Sequence, residues 1–173
     1  MARGRAPAGL MRQPWAWIAT AGGVGLSPWA PGTFGSIAAL PFWFWLRELA
    51  LGWQGLLLLA ALALGVVAAN QVEARSGQHD PGWIVWDEVI GQWTTLVLAA
   101  LLAGPQPWWL ECALGLACFR LFDIAKPWPI GVVDRRLPGG LGTMIDDALA
   151  GVAAGLLAGG LFLLLPLLGI TLG

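Results

Sequence analysis

Two pairs of adjacent carboxylates stand at the beginnings of apolar runs in this chain of 173 residues. Asp87 and Glu88 precede an apolar run that reaches Ala103, and Asp146 and Asp147 open the last apolar run. Carboxylates beside an apolar span are costly and adjacent acids repel each other, which favours a functional role. A hard divalent cation such as Mg²⁺ would neutralise them and bridge them to a phosphate. The pattern therefore predicts a Mg²⁺ site where two helix ends meet.

Asp80 extends this acidic set. The predicted metal ligands are Asp80, Asp87, Glu88, Asp146 and Asp147. The alternative interpretation is that these acids are ordinary helix N-terminal residues, which the positive end of the helix dipole stabilises. One pair alone would leave the two interpretations balanced, but two pairs together with Asp80 and Asp123 favour metal binding. Helix geometry turns Asp87 and Glu88 about 100° apart, so either is a candidate inner ligand, and we expect both to take part.

Basic and hydroxyl side chains near these acids suit an anionic phosphate. Arg120 and Asp123 are three residues apart, and Lys126 follows them. They are compatible with a plain ion pair or, for Arg120 and Lys126, with contacts to a phosphate. Thr33 and Ser36 enter the first apolar run, where free backbone N–H groups can bind phosphate. An ordinary N-cap is the simpler interpretation of Thr33 taken alone.

Other phosphatase mechanisms lack their motifs in this sequence. It contains no Cys-x5-Arg loop, no Asp-x-Asp-x-Thr motif and no Gly-x-Ser-x-Gly elbow. His79 is the single histidine, so it cannot serve as both nucleophile and acid of a two-histidine lipid phosphatase. It is a candidate substrate contact or proton carrier, and an incidental loop histidine is an equal alternative. Water activated at carboxylate-held Mg²⁺ is the chemistry that remains.

The composition predicts an all-α, polytopic membrane protein. Hydrophobic residues make up 58% of the chain and charged residues 11%, far from the averages of soluble domains. Most of the 12 Trp residues lie near the ends of apolar runs, as in a membrane aromatic belt. The net charge of −1 gives no reason to expect a nucleic acid partner. Backbone groups in lipid must be satisfied within a segment, so the apolar runs are predicted to be helices.

Five apolar runs are the candidate membrane-embedded helices. They cover residues 33–46, 53–70, 87–103, 108–122 and 146–168, and a short interfacial helix is predicted at 14–21. Several of these runs are shorter than the roughly 20 residues of a full span. We expect a single domain over residues 1–173, with a flexible basic N-terminus at 1–13.

The charges predict which face of the membrane holds the site. If all five runs cross, the N-terminus and the loops after the second and fourth runs share one face. That face carries 8 of the 9 basic residues and 8 of the 10 acids. Basic residues in short loops indicate the cytoplasmic side. Asp147, Gly151, Gly155 and Gly159 recur every four residues, which predicts a stripe of close helix contact with Asp147 pointing into the bundle.

Four segments together resemble the phosphatidylglycerophosphatase A family. They are Gly25–Ser36, Asp80–Trp93, Phe119–Ile130 and Gly139–Asp147, the last continuing to Ala150 and Gly151. The resemblance implies a multi-pass, Mg²⁺-dependent phosphatase of the bacterial inner membrane that converts phosphatidylglycerophosphate to phosphatidylglycerol in phospholipid biosynthesis. It also implies an all-helical bundle around a central helix, in contact with the lipid bilayer. An oligomer is compatible with the sequence.

The resemblance also suggests roles for single residues. The candidate ligands are Asp80, Asp87, Glu88, Asp123, Asp146 and Asp147, and the candidate phosphate contacts are Thr33, Ser36, Arg120 and Lys126. We expect Asp123 or Asp147 to orient the attacking water, and Lys126 with Arg120 to stabilise the transferring phosphoryl group. A small divalent-cation transporter or channel subunit is the alternative, and a lipid-binding scaffold without metal is a third. A transporter would spread its acids through the membrane depth, whereas these acids gather at one face.

Overall fold

Seven α-helices and three short 3-10 helices form the part of the chain that the computed structural model describes, residues 6–168, which contains no β-strand. The α-helices are α1 Pro14–Ala19, α2 Pro31–Leu46, α3 Leu51–Ser76, α4 Trp86–Ala103, α5 Trp108–Ala125, α6 Ile130–Arg136 and α7 Gly139–Leu164. The all-helical prediction is confirmed for these residues. The predicted flexible N-terminus lies partly outside them, at residues 1–5, while Leu10 begins a 3-10 helix and is buried.

The start of α7 differs from the prediction. The sequence placed the last helix from residue 146, so that Asp146 and Asp147 would open it, but α7 begins at Gly139 and both acids lie well inside it. The cause is a tertiary cap. Asn70 of α3 accepts a hydrogen bond from the Gly140 N–H at 2.8 Å, which satisfies one of the free donors of the helix start. The reading of these two acids as first-turn helix acids is therefore wrong.

The segment before α7 also contains α6, which the sequence did not predict. The glycine-rich segment that follows α6 lies very close to α3. A Cβ at Gly140 would lie 2.7 Å from the Val66 carbonyl oxygen and 2.8 Å from the Ala69 Cβ. Glycines that read as a loop in the sequence therefore let the first turn of α7 rest on α3.

The helices α4 and α7 form the most extensive helix pair, and α7 also packs against α3, α5 and α6. The glycine stripe of α7 faces α4: a Cβ at Gly151 would lie 2.9 Å from the Thr94 Cβ, and one at Gly155 would lie 2.8 Å from the Leu98 Cβ. Only small residues permit this separation. The Thr95 hydroxyl lies 2.9 Å from the Gly91 carbonyl oxygen. The close contact predicted from the spacing is thus confirmed.

Two of the helices, α3 and α7, are long and apolar enough to cross a membrane. In their most apolar stretches, 17% of α3 is buried inside the bundle against 44% of α7. Leu56 and Leu59 of α3 are 54% and 65% exposed, which fits a helix surrounded by lipid. The helices α2, α4 and α5 are shorter, with 16, 18 and 18 residues. Five membrane-embedded helices remain a prediction.

Glu111 anchors the end of the bundle where α2 finishes and α5 begins. Its side chain is 3% exposed and accepts hydrogen bonds from the Trp43 indole N–H at 2.7 Å and the Gln106 backbone N–H at 2.8 Å. Arg47 Nη1 lies 2.9 Å from its Oε2. This Glu111 network ties the end of α2 to the connection between α4 and α5.

Candidate active site

Three carboxylates meet at the opposite end of the bundle from the Glu111 network. Asp87 and Glu88 lie in the first turn of α4 and Asp147 lies inside α7. One oxygen from each lies within 4.8 Å of the others. Gly91 makes this meeting possible, because a Cβ there would lie 2.8 Å from the Asp147 carbonyl oxygen. We call these three residues the carboxylate cluster.

The cluster is buried and short of hydrogen-bond donors. Asp147 is 3% exposed and Asp87 is 9% exposed. Among residues 6–168, Asp87 Oδ1, Glu88 Oε2 and the neighbouring Asp146 Oδ1 are buried without a hydrogen-bond partner. Buried charge without a partner is strongly unfavourable, and oxygen ligands of this kind are those that Mg²⁺ and Ca²⁺ prefer. The residues present therefore fit a divalent cation.

Arg120 stands at the edge of the cluster, on α5. It forms an ion pair with Asp123 one turn along the same helix, and its Nη1 lies 3.8 Å from Glu88 Oε1. The first turn of α2 closes over the pair, because a Cβ at Gly32 would collide with Glu88 Oε1 and lie 3.2 Å from Arg120 Nη1. The guanidinium group thus links the cluster to Asp123.

Lys126 is the second positively charged side chain near the carboxylate cluster. It follows α5 in the left-handed conformation, with φ of 39°. Its Nζ lies 2.6 Å from Asp134 Oδ1 of α6 and 2.5 Å from Asp146 Oδ2 of α7. Burial alone would lower the pKa of the Lys126 ammonium, but the hydrogen bonds to these carboxylates raise it above its ordinary value. Lys126 therefore carries a fixed positive charge.

Asp80 lies in the loop before α4, at φ of 42°. Its backbone N–H donates to Glu73 Oε1 at 3.0 Å, and His79 Nδ1 lies 3.4 Å from Glu73 Oε2. Desolvation by the surrounding protein raises the pKa of the Asp80 carboxyl although the residue as a whole is exposed, and Lys126 opposes this shift. Asp80 thus borders the cluster, while His79 is 66% exposed and faces Glu73.

The two hydroxyl residues predicted to contact phosphate have different surroundings. Ser36 is fully buried and its hydroxyl donates to the Gly32 carbonyl oxygen at 3.0 Å. Thr33 is half-buried in the first turn of α2. The structure thus joins Asp87, Glu88 and Asp147 directly, and places Asp80, Asp146, Arg120, Asp123 and Lys126 around them. Their functional roles stay predictions.

Three residues that support the site received no role from the sequence. They are Asn70, which caps α7, Glu73, which holds the Asp80 backbone, and Asp134, which pairs with Lys126. Asn70 and Glu73 are three residues apart at the end of an apolar helix, and this spacing was a usable signal. Asp134 gave none, because it lies in a segment rich in Pro and Gly that reads as a loop.

Residues 17–162 match the sequence model of the family described as Phosphatidylglycerophosphatase A, so this chain belongs to that family. The resemblance carried by the four segments is thereby confirmed.

Curated relatives extend over most of the chain. A protein of Escherichia coli strain K12 named Phosphatidylglycerophosphatase A is 45% identical over 148 residues, which cover 85% of this chain and 83% of the relative. One of the same name from Haemophilus influenzae is 42% identical over 139 residues, covering 79% and 82%. A Putative phosphatidylinositol-3-phosphatase of Bacteroides thetaiotaomicron is 39% identical over 142 residues, covering 78% and 85%. No solved structure matches this chain.

Proposed function

We propose that this protein is a Mg²⁺-dependent phosphatase that removes the terminal phosphate of phosphatidylglycerophosphate, leaving phosphatidylglycerol for the phospholipids of a bacterial inner membrane. Its family and the names of two relatives support the substrate. The observation that carries the proposal is the carboxylate cluster, in which Asp87 Oδ1 and Glu88 Oε2 are buried without a donor near two positively charged side chains.

The cluster supplies the ligands for the metal. Asp87, Glu88 and Asp147 would hold Mg²⁺, and Asp80 and Asp146 would complete or orient the set. Bound Mg²⁺ supplies positive charge that offsets the phosphate and favours deprotonation of an attacking water. The carboxylates could not accept a dianionic head group beside them without such a cation, because like charges repel strongly in a buried site.

The chain's own cations would bind and orient the phosphate. Arg120 and Lys126 are already fixed, by Asp123 on one side and by Asp134 with Asp146 on the other. Charges that are oriented before the reaction stabilise the transferring phosphoryl group without a cost of reorganisation. Asp123 or Asp147 would orient the attacking water and accept its proton as the water oxygen bonds to phosphorus. The phosphorus–oxygen bond to the glycerol would break as this bond forms, and the glycerol oxygen would take up the proton that the carboxylate received.

The placement of the site suits a lipid substrate. The cluster lies at the end of the bundle near the loops that follow α3 and α5, and the connection after α5 holds Lys126, Arg135 and Arg136, while α3 exposes an apolar surface. Basic residues in those loops favour the cytoplasmic side of the membrane. A lipid in the cytoplasmic leaflet could therefore present its phosphate to the cluster while its hydrocarbon stays in the bilayer.

Phosphate release from phosphatidylglycerophosphate in mixed micelles tests the proposal. We expect release with Mg²⁺, loss of release with excess EDTA, and recovery when Mg²⁺ is restored. Phosphatidylinositol 3-phosphate and phosphatidic acid should be assayed in parallel, because one relative is named for a phosphoinositide. Folded protein that releases no phosphate from any of the three lipids would overturn the phosphatase assignment. Mg²⁺ flux into liposomes would then be measured as the test of a transporter.

A further inference from the structure

An apolar groove of about 460 Å³ runs along the outside of the bundle. Phe42 and Trp45 of α2 form one wall, and Leu57, Ala60 and Leu64 of α3 form the other. All side chains that line the groove are apolar, and both walls pack against α4. Ligand pockets of proteins commonly have volumes of about 300–1,000 Å³, so the groove is large enough for part of a lipid.

Two tryptophans of α4 make the floor. The Trp86 indole N–H donates to the Ala61 carbonyl oxygen of α3 at 2.9 Å, and the Trp93 indole N–H donates to the Ala39 carbonyl oxygen of α2 at 2.9 Å. The two rings meet edge to face with centroids 6.3 Å apart. Each indole N–H is therefore hydrogen-bonded to one of the wall helices. The apolar surfaces of the rings remain in the groove, and the hydrogen bonds fix both walls to the floor.

One end of the groove lies at the start of α4, the helix end that also carries two residues of the carboxylate cluster. Trp86 is the first residue of α4, and Asp87 and Glu88 follow it directly. From there the lining residues of α3 run from Leu64 to Leu57, away from the acids, over about 10 Å at a rise of about 1.5 Å per residue. One leaflet of hydrocarbon is about 15 Å deep. The groove thus runs along the bundle from the level of the carboxylate cluster, over a length that is a large part of one leaflet.

The lining identifies the class of occupant. Contacts between membrane helices use small residues, as the glycine stripe of α7 does, whereas this groove is lined by Trp, Phe and Leu side chains. Protein interfaces carry a polar rim with hydrogen bonds, and the groove offers no polar side chain for one. We infer that the groove binds one acyl chain of the lipid whose phosphate occupies the carboxylate cluster. This inference rests on the proposed function and adds a chain-binding subsite to it.

Two matched substitutions on α3 test the subsite. Ala60→Trp places a large ring in the groove, while Ala63→Trp places the same ring on an exposed part of α3 that does not line the groove. Turnover is measured with dioleoyl and with dihexanoyl phosphatidylglycerophosphate in mixed micelles with Mg²⁺. Losing contact with two methylene groups weakens binding about tenfold. We expect Ala60→Trp to raise KM about tenfold or more for the dioleoyl lipid only, with kcat unchanged, and Ala63→Trp to match the wild type.

Three results would overturn the inference: equal effects of the two variants, a KM rise that is the same for both chain lengths, or a changed oligomeric state of Ala60→Trp with unaltered chain-length dependence. The last would assign the groove to a second copy of the chain. Wild-type protein that hydrolyses neither substrate would instead overturn the proposed function.

A photolabelling experiment tests the groove independently of turnover. A phosphatidylglycerophosphate with a diazirine in the middle of one acyl chain is irradiated with the protein. We expect label on residues 57–64 of the wild type, lost in Ala60→Trp and displaced by unlabelled phosphatidylglycerophosphate. Displacement by phosphatidylcholine to the same degree would mean that bulk lipid fills the groove, and label spread evenly over the exposed face of α3 would mean that there is no subsite.

Discussion

Buried carboxylates at the two ends of the bundle have opposite surroundings. Glu111 accepts hydrogen bonds from Trp43 and the Gln106 backbone and pairs with Arg47. Asp87 and Glu88, at the other end, each keep a buried oxygen without a partner within the described part of the chain. Both ends therefore bury carboxylates, and they differ in the hydrogen-bond donors that those carboxylates receive.

The difference separates a structural acid from a candidate metal ligand. A buried charge that is fully hydrogen-bonded holds helices together, and removing one partner is destabilising. A group of buried acids without donors is unfavourable as it stands, and a bound cation turns it favourable. Stability and activity should therefore respond in opposite ways to substitutions at the two ends.

Asp147→Asn should give the largest effect. An amide removes one charge from the cluster, so kcat should fall by at least about 10²–10³-fold, as for loss of a main electrostatic group. The melting temperature in EDTA should not fall, because repulsion within the cluster decreases. Phosphate release and thermal unfolding measure the two effects. Glu48→Gln, a substitution of a 77% exposed acid, is the control, and retained activity of Asp147→Asn would remove Asp147 from the metal set.

Lys126→Met should lower kcat by about 10²-fold, because it removes a fixed charge from the proposed phosphate position. Asp134→Asn should lower kcat less, since Asp146 still holds the ammonium group. Arg136→Met, which changes an exposed basic residue of α6, controls for the loss of charge at this end of the molecule. Equal activity of Lys126→Met and Arg136→Met would contradict a role for Lys126 in catalysis.

Glu111→Gln should affect stability rather than chemistry. It removes the buried ion pair of Arg47 and leaves only the one with the exposed Glu48. Breaking a buried pair of this kind lowers the free energy of unfolding by about 2–3 kcal/mol, somewhat less than for a fully buried pair. The kcat of the folded fraction should stay at the wild-type value. Denaturant unfolding in detergent and phosphate release check this. Mg²⁺ should still raise the melting temperature of this variant, and should not raise that of Asp147→Asn.

Glu73→Ala should have the smallest effect. It removes the acceptor of the Asp80 N–H, and a hydrogen bond contributes about 1 kcal/mol, so kcat/KM should fall about fivefold. Glu73→Gln keeps an acceptor oxygen and should recover most of the activity. Glu48→Ala at the other end is the control. If Glu73→Gln were as impaired as Glu73→Ala, the charge of Glu73 rather than its hydrogen bond would be what supports the site.

Much of the fold was predictable, because apolar runs and the every-fourth-residue glycines report helices and their contacts directly. The N-terminal turns of α7 were not, since Gly139, Gly140 and Gly142 read as a loop and become helical only through the contact with α3 and the cap from Asn70. The short helix α6 was hidden for a similar reason, because it follows Pro127 and Pro129.

The acids of the candidate site were found by residue type, but their partners were not. The sequence left open whether Asp87 or Glu88 points inward, and the structure brings one oxygen of each to Asp147. The sequence could not show that Asp146 pairs with Lys126, 20 residues away, because that pairing depends on the connection between α5 and α7. Local spacing reports which face of a helix a residue shares, whereas pairing across helices needs the tertiary fold.

The position of Asp147 on α7 sets an order for biosynthesis. Ribosomes deliver the chain from its N-terminus, so Asp87 and Glu88 of α4 are synthesised before α7 has been made. A nascent chain that stalls after α5 lacks the third carboxylate and the helix that α3, α4 and α5 pack against. The proposed hydrolytic centre would therefore arise only on completed chains, and abandoned translation products would leave membrane lipids untouched.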